Sequence, residues 1–477
     1  MSSDRPRPGG AATRRERAAS RRARRFSVAV AVVVAVLAVL AGGGAALSTA
    51  LGPRVTDVQV DPGAAVAAGG SRLIVTTTQS LAEVAPEQVT VTPAMPFRVD
   101  TAGRTVGIRF TLPLYDETTY TVRIDGLEGV GGGPTASVEE TFTTPALEVF
   151  LLQRHADADD AVFRTRIDGE GARAVLTAPQ IEDYRVTERY LVASAVEDDG
   201  AARVQVARQD GSGARDLALP GAGEVSALQS ADRGNTVGFL YTDRDLTADG
   251  ARESILHTVS LADPDAEPVA VLPPGLDPSV EDWRFVPGTD SILMLTFDGA
   301  LTLVTPDGEV VSLGSALLIH GIAPGGTVAY VDRADGTVAI DLATAEETPV
   351  PAVDEALGQV REIVPVPGED GATLRTATVF EGFAVASSGV LLVDAAGAAE
   401  TVFEVGPADA ILQTCVSPSG RYAAILVAPD VAANSYDGYR LPLFTRLETH
   451  IVEIAGATPV VVLDGFDISW CQKAPQA

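Results

Sequence analysis

The residue types that most often carry chemistry are sparse and scattered in this sequence. The four histidines are His155, His257, His320 and His450. No two of them stand at the short spacing that is typical of a shared metal site. His257 and His450 fall inside stretches with the alternating pattern of β-strands, which favours packed or surface histidines over ligands. We therefore predict no metal site and no cofactor.

Two acidic segments, residues 157–160 and 243–249, are the candidates for calcium binding. Counted from Asp245, the spacing Asp-x-Thr-x-Asp-Gly resembles the first half of an EF-hand loop. The twelfth position of such a loop needs a bidentate glutamate, and here it is Leu256. We therefore predict that both segments are solvated acidic turns, with calcium held in another geometry as the alternative.

Catalytic motifs are missing from the sequence. It contains no Gly-x-Ser-x-Gly and no Ser-x-x-Lys, and neither cysteine has papain-like surroundings. Glycosidases use paired carboxylates, but an acidic chain offers too many to single out a pair. Glu281 and Asp282 beside Trp283 are a candidate sugar site, with ordinary strand-end polarity as the alternative. We predict no catalytic residue, leave enzymatic activity open, and favour a non-enzymatic protein.

The two cysteines, Cys415 and Cys471, form the most informative pair. They precede Pro418 and Pro475 by three and four residues, so they occupy near-equivalent places on two predicted strands. We predict a disulfide between them that ties the last strand to the preceding unit and contributes about 2–4 kcal/mol in the chain-entropy model. The alternative is that the two strands lie too far apart, since the Cα atoms must lie within about 7 Å.

Residues 436–444, Tyr-Asp-Gly-Tyr-Arg-Leu-Pro-Leu-Phe, form an insertion that is rich in aromatics for a chain with 5% of them. Exposed aromatics together with arginine are typical of binding hot spots. A loop folded back onto the protein explains the composition equally well, and both interpretations stay open.

The N-terminal segment differs in charge from the rest of the chain, which must form the elements that position the residues discussed above. The net charge is −29, but the first 25 residues hold nine arginines against two acids, so the remainder carries about −36. Such an acidic body argues against nucleic acid as a partner.

Residues 26–51 carry no charge and exceed the roughly 20 residues that cross a membrane. The preceding arginines favour a cytoplasmic N-terminus. We predict a basic cytoplasmic tail over 1–25, a transmembrane signal anchor over 26–51, attachment to the cell membrane through that segment, and extracytoplasmic C-terminal domains. A cleaved signal peptide is the alternative.

Residues 54–145 show the period-two alternation of short, half-buried strands, as at positions 106, 108, 110 and 112. The segment has Asp61-Pro62-Gly63 near its start, then residues 114–122, and it closes with Thr141-Phe142-Thr143-Thr144-Pro145. In these features it resembles the bacterial Ig-like (SbsA-type) domains of surface proteins. The resemblance implies a small β-sandwich without a catalytic residue.

A looser repeat occupies residues 147–477: an apolar strand, a Pro/Gly turn, a second strand, a hairpin and two more strands. The turns recur about every 37–57 residues, which is the length of a propeller blade. Residues 466–472 match a first strand, so we predict that this C-terminal strand completes the first blade and closes the ring. Seven blades fit best, with six or eight as alternatives.

Residues 416–424, Val-Ser-Pro-Ser-Gly-Arg-Tyr-Ala-Ala, and the acidic hairpin 242–250 resemble the repeats of TolB-like and WD40-like bacterial propellers. The resemblance implies a scaffold for protein or ligand binding. The predicted whole is all-β: an Ig-like β-sandwich followed by a β-propeller, with one N-terminal transmembrane helix. We predict a binding or scaffold protein of the cell envelope whose propeller face recognises a protein, peptide or glycan. The alternative is an envelope hydrolase with carboxylates in the propeller channel.

Overall fold

A computed structural model of the protein describes residues 28–39, 52–197, 199–231, 234–275, 277–368 and 371–475. Residues 28–39 form helix α1, and Pro62–Ala67 form helix α2, which is capped by the Asp61 side chain. Strands dominate the rest of these ranges, as expected for an all-β chain.

The predicted transmembrane anchor is the main correction. Helix α1 covers twelve residues of the predicted segment 26–51 and rises only about 18 Å, against a hydrocarbon layer of about 30 Å. In the ranges that the structure describes, no helix is both long enough and apolar enough to cross a membrane. The predicted single-pass cell-membrane localisation is therefore wrong. The predicted cytoplasmic tail, residues 1–25, lies outside the described residues.

The first seven strands form a sandwich of two antiparallel sheets. One sheet has the order β1-β2-β5-β4 and the other the order β3-β6-β7. Their bounds are β1 Val55–Gln59, β2 Arg72–Thr77, β3 Val89–Thr92, β4 Phe97–Ala102, β5 Thr105–Phe110, β6 Thr119–Leu127 and β7 Ala136–Thr143. The Ig-like assignment and the predicted boundaries 54–145 and 147–477 stay predictions.

Period-two alternation explains the sandwich core. Along β5, Val106, Ile108 and Phe110 are fully buried, while the residues between them point to the other face. Tyr120 and Val122 of β6 meet them from the second sheet in one apolar cluster. The alternation seen in the sequence thus selects the residues that hold the two sheets together.

The remaining strands form seven antiparallel sheets, which confirms the β-propeller prediction. In the second to seventh sheets, the strand order equals the chain order. The first sheet comprises β8 Glu148–Gln153, β9 Asp160–Arg166 and β10 Arg173–Ala178; the second β11 Ile181–Val186, β12 Tyr190–Val196, β13 Ala202–Arg208 and β14 Arg215–Asp216; the third β15 Gly223–Ser230, β16 Thr236–Asp243, β17 Ile255–Ser260 and β18 Val269–Ala270; the fourth β19 Val280–Phe285, β20 Ile292–Thr296, β21 Ala300–Val304 and β22 Val310–Ser315. The fifth comprises β23 Leu318–Ile322, β24 Val328–Arg333, β25 Gly336–Asp341 and β26 Glu346–Pro349; the sixth β27 Gln359–Pro365, β28 Thr373–Glu381, β29 Ala384–Val393 and β30 Ala399–Val405; the seventh β31 Ala410–Val416, β32 Tyr422–Ala428, β33 Glu448–Glu453 and β34 Thr458–Asp464.

The C-terminal segment, which was predicted to complete the first blade, pairs with the inner edge of the first sheet. Leu152 of β8 and Phe466 exchange two backbone hydrogen bonds of 2.9 Å, and the N–H of Ser469 donates to the carbonyl of Phe150. The segment thus occupies the innermost place beside β8, where the first strand of a blade would lie. Because the unpaired inner edge of β8 is now covered, the ring has no open seam there.

A disulfide joins Cys415 of β31 to Cys471, with the two Cα atoms 5.4 Å apart. The two residues lie in one apolar cluster, where Tyr422 and Trp470 stack in parallel with ring centroids 6.5 Å apart. The first strands of neighbouring sheets therefore come within bonding distance at the ring closure, and the alternative that they stay too far apart is wrong.

Apolar clusters fill the space between neighbouring sheets. Val204 and Val206 of the second sheet, for example, pack against Val237 and Phe239 of the third in a fully buried cluster. Since both faces of these sheets are covered, second strands such as β12, β20 and β32 are buried along nearly their whole length rather than in strict alternation.

The antiparallel connections give the propeller two different faces. Loops between the first and second strands of each sheet lie on one face, which contacts the sandwich and is here named the sandwich face. Hairpins between the second and third strands, and the loops that lead into the next sheet, lie on the opposite face, here named the hairpin face.

Leu112 of the sandwich packs closely on two of the predicted Pro/Gly turns. Gly325 and Gly368 have φ of +73° and +78°, and a Cβ on them would lie 2.9 and 3.0 Å from the Leu112 methyl carbons. Glycine is therefore required there both by the turn and by the close approach of the sandwich.

Candidate functional site

Charged side chains gather where the innermost strands surround the central channel. Arg185 of β11 places Nη1 2.8 Å from an oxygen of Asp183 and 2.8 Å from an oxygen of Asp467, which belongs to the closing segment. Both carboxyl groups are almost completely buried. One arginine thus holds two carboxyl groups, and it links the second sheet to the end of the chain.

Burial raises the pKa of Asp467 to about 7, and the neighbouring Asp183 adds to the shift while Arg185 opposes it. Burial also raises the pKa of Asp183, and Arg185 opposes that shift as well. Two buried carboxyl groups beside one arginine favour the protonated form of one of them. The two carboxyl groups are almost completely buried and bound to an internal arginine, so this pair does not support the hydrolase alternative.

A second charged group lies farther round the channel. Arg284 of β19 pairs with Asp282, and its other amino group donates to the carbonyl of Ile319. Lys473, the only lysine of the chain, lies in the C-terminal tail, where its carbonyl accepts from Gln413 Nε2 at 2.8 Å. Burial lowers the pKa of Lys473, and the nearby Arg284 lowers it further. The tail therefore enters the channel and contributes a charge to it.

Glu362 of β27 is the acid of this second group. Its Oε2 accepts from the backbone N–H of Thr414 at 3.2 Å, and burial raises its pKa, although Lys473 opposes the shift. These contacts make the channel a polar connection between sheets. In the described ranges, no group of three or more histidine, cysteine, aspartate or glutamate side chains is arranged to hold a metal ion.

The candidate sugar site is not assembled as proposed. Glu281 is exposed, and the Asp282 carboxylate forms an ion pair with Arg284. Trp283 is fully buried between the third and fourth sheets. Its Nε1 donates to the carbonyl of Ala227 at 3.2 Å, and its ring meets Phe285 edge-on. A ring that is packed in the core cannot stack on a sugar, so the hypothesis of a sugar platform at this strand is wrong.

The aromatic insertion is folded back onto the hairpin face at the first two sheets. Arg154 donates to Asp437 at 2.8 Å and to the carbonyl of Leu441 at 2.9 Å, and its guanidinium lies 3.9 Å from the centre of the Tyr439 ring. The carboxylate of Glu182 accepts from two consecutive backbone N–H groups, those of Arg440 and Leu441, each at 3.0 Å. These buried contacts clamp the middle of the insertion.

One aromatic side chain near the start of the insertion is exposed to solvent. Tyr436 is exposed and stacks on the buried Phe444 with ring centroids 4.4 Å apart. Both interpretations of the insertion therefore hold in part: Tyr439 anchors the loop, and Tyr436 is displayed on it.

The acidic segments are engaged by protein donors. Asp160 is buried and accepts from the Tyr439 hydroxyl at 2.8 Å, whereas Asp157 and Asp159 are exposed. The Arg252 side chain binds Asp243 at 2.7 Å and holds the pKa of that carboxyl at about 2. The solvated-turn prediction thus holds for part of each segment only.

The four histidines lie apart from one another. His155 is exposed, and His450 is half-buried beside Glu448. His257 is buried between aromatic rings and bonds to the carbonyl of Ile255. His320 accepts from the N–H of Ile363 and lies 3.0 Å from Asp332, while burial lowers its pKa. Packing accounts for the buried two.

Sequence reasoning missed a set of exposed apolar side chains on the hairpin face, here named the apolar rim. Each occupies a different loop of the third to seventh sheets, and they are between 48% and 108% exposed. The rim consists of Leu246, Leu272, Phe297, Leu317, Phe383 and Tyr436. Their signal in the sequence is an apolar residue within a turn, as in Phe297-Asp298-Gly299.

The distribution of such residues is one-sided. Among the described propeller residues, the remaining large apolar side chains that are exposed lie beside the rim or on outermost strands. None of these apolar side chains lies on the sandwich face. Single exposed apolar residues are ordinary, whereas their restriction to one face makes that face the candidate for an interaction surface.

No family model matches the sequence, and no curated protein sequence matches it. Several solved structures are similar. TolB from Acinetobacter baumannii has 11% identity and a TM-score of 0.36 over 82% of each chain. An oligogalacturonate lyase in complex with manganese has 9% identity and a TM-score of 0.43 over 79% of this chain and 94% of the lyase.

An acylaminoacyl peptidase of Pyrococcus horikoshii has 10% identity and a TM-score of 0.40, over 71% of this chain and 50% of the peptidase. The structural neighbours thus include TolB-like propellers, the family that the sequence resembles. At these identities and scores the likenesses do not bear on function, and the propeller assignment rests on the chain's own sheet topology.

Proposed function

We propose that the chain is a protein-binding propeller and that its hairpin face is the recognition surface. The observation that carries the proposal is the apolar rim, which places large exposed side chains in six loops of one face. Burying apolar area is the main favourable term in protein association, and large aromatic anchors contribute most of it.

The arrangement of the other surfaces supports this choice of face. The sandwich contacts the opposite face, and buried contacts hold the insertion in place over the first two sheets. The loops that carry Phe297, Leu317 and Phe383 are short connections between regular strands, so at these positions a partner would meet a surface that is already formed. Such preorganisation reduces the entropic cost of binding.

Photo-crosslinking from the rim tests the proposal. Phe383 would be replaced by a photoreactive phenylalanine analogue in the full chain, expressed in native cells. Amine-directed reagents are unsuitable, because Lys473 is the only lysine and lies in the channel. We expect a crosslinked protein partner whose recovery is lost when Phe297 and Leu317 are changed to Ser in the same chain.

The matched control is Val130, an exposed apolar residue in a sandwich loop. The same photoreactive residue at position 130 should not crosslink that partner, and Val130→Ser should leave its recovery unchanged. A partner that crosslinks equally from position 130, or that survives the rim substitutions, would assign binding to another surface.

A further inference from the structure

Resting on the proposed function, we infer that the partner of the hairpin face is a basic protein segment that carries apolar side chains. The rim alone does not select a partner by charge. The selection comes from exposed carboxylates in the loops around it: Asp245, Asp249, Asp298, Asp335, Glu355 and Glu381.

These acids alternate with the rim along the chain. Asp245 directly precedes Leu246, and Asp298 directly follows Phe297. Glu381 lies two residues before Phe383 at the tip of the sixth-sheet hairpin. An apolar side chain of a partner that reaches the rim therefore comes close to a carboxylate at each of these three loops.

Several cations on this face are already paired within the protein. Arg252 binds Asp243, Arg333 binds Glu347, and Arg203 binds both Glu197 and Asp216. These three arginines thus neutralise acids of their own sheets, and the six rim carboxylates outnumber the exposed Arg244 and Arg446 of the same face. The resulting field attracts a basic partner and repels an acidic one.

Charge complementarity of this kind steers association and chooses between partners, while the apolar contact supplies affinity. A basic segment without apolar side chains would bind weakly and lose binding in salt, since exposed charges are screened beyond a Debye length of about 10 Å at 0.1 M. The inferred ligand therefore combines both features.

Two synthetic peptides probe this chemistry on the full-length protein: twelve residues of repeated Arg-Trp-Arg-Leu, and the same peptide with Glu in place of Arg. Binding is measured by fluorescence anisotropy at about 0.1 M and about 1 M salt. We expect the basic peptide to bind and the acidic one not to bind. The triple variant Asp245→Asn/Asp298→Asn/Glu381→Gln should weaken binding about tenfold, and so should Phe297→Ser/Phe383→Ser.

The matched control neutralises three exposed acids of the sandwich, Glu83→Gln/Glu87→Gln/Glu128→Gln, and should leave the affinity unchanged. Equal weakening by this control would show general attraction to an acidic protein and would overturn the inference. Binding of the acidic peptide, or of neither peptide, would overturn it as well. If rim substitutions abolish crosslinking to the native partner but the charge variant does not, only the basic chemistry fails and the proposed function stands.

Discussion

The sandwich face and the hairpin face of the propeller differ in how they use polar side chains. On the sandwich face, Asp116 is buried and accepts from Arg421 Nη1 and from the Tyr422 hydroxyl, each at 3.1 Å, across 305 and 306 residues of chain. On the hairpin face, carboxylates such as Asp298 and Asp335 are exposed at turn tips.

The two faces also differ in how far their aromatic side chains are exposed to solvent. Tyr422 and Trp470 stack at the ring closure near the sandwich, whereas Phe297 and Phe383 are displayed to solvent. This contrast supports the proposed division of roles, in which one face stabilises the protein and the other binds a partner. The following predictions test that division of roles, beginning with the largest effect.

Removing the disulfide should cause the largest loss of stability. Cys415→Ala/Cys471→Ala releases a cross-link over 56 residues of chain, and the expected loss in the free energy of unfolding is about 2–4 kcal/mol. Urea unfolding monitored by tryptophan fluorescence measures it. Adding a reductant to the unchanged protein should produce a similar loss, and an unchanged unfolding midpoint in both cases would contradict the assigned role.

Asp116→Ala should produce the next largest effect. It leaves the buried Tyr422 hydroxyl without its acceptor at the contact between the sandwich and the propeller, which costs about 2 kcal/mol. Arg421 loses one acceptor but keeps Glu453 and the backbone carbonyl of residue 116. Thermal unfolding measures the loss. Asp100→Ala removes an exposed carboxylate 3.8 Å from Arg72 and should cost less than about 1 kcal/mol. Equal losses for the two variants would remove the special role of the sandwich face.

The raised pKa of Asp467 predicts a pH dependence of stability. The folded protein keeps a proton on Asp467 up to a pKa of about 7, while the unfolded chain releases it near 3.8. The folded state therefore binds more protons in this window, so stability falls as the pH rises from 3.8 to about 7 and levels off above it.

Between pH 6 and 8 the expected decrease in the free energy of unfolding is about 1 kcal/mol, measured by urea titration at each pH. Asp467→Asn removes the titrating group and should flatten this part of the profile. Burial lowers the pKa of His257 and His320, which contributes a rise in stability over part of this interval, so the wild-type profile is compared with that of Asp467→Asn. A wild-type profile that does not fall relative to the variant would show that Asp467 is ionised in the folded state.

Substitution on the apolar rim should have the smallest effect on stability. Phe383 is 108% exposed, so Phe383→Ser removes no packing and should change the free energy of unfolding by less than about 0.5 kcal/mol. Differential scanning calorimetry checks this. A loss of more than 1 kcal/mol would give Phe383 a structural role and weaken the contrast between the two faces.

Local pattern was sufficient for much of the fold. Alternation at Val106, Ile108 and Phe110 predicted a strand with one buried side, and the Pro/Gly turns marked where first strands end. The position of Cys471 before a terminal proline suggested its pairing with Cys415, and the structure bonds the two. These features follow from neighbouring residues, and so they were accessible without coordinates.

The same reasoning failed where burial had to be known. Trp283 beside two acids suggested a sugar platform, but the neighbouring sheet covers its ring. The apolar segment 26–51 suggested a membrane span, but the described helix covers only residues 28–39. Composition alone does not report the length of an element or the side of a strand that another sheet will cover.

The sequence by itself determined the strand pattern, the repeat that forms a propeller, the closing role of residues 466–472 and the cysteine pair, because each is a matter of local spacing. Only the tertiary structure decided that Arg185 joins Asp183 to Asp467, which lies 282 residues from Arg185 along the chain. It also decided that the sandwich packs on the turns at Gly325 and Gly368, and that the apolar rim lies on the opposite face. The physical reason is that these contacts depend on how seven sheets pack around one axis, and this packing brings together residues that no local pattern relates.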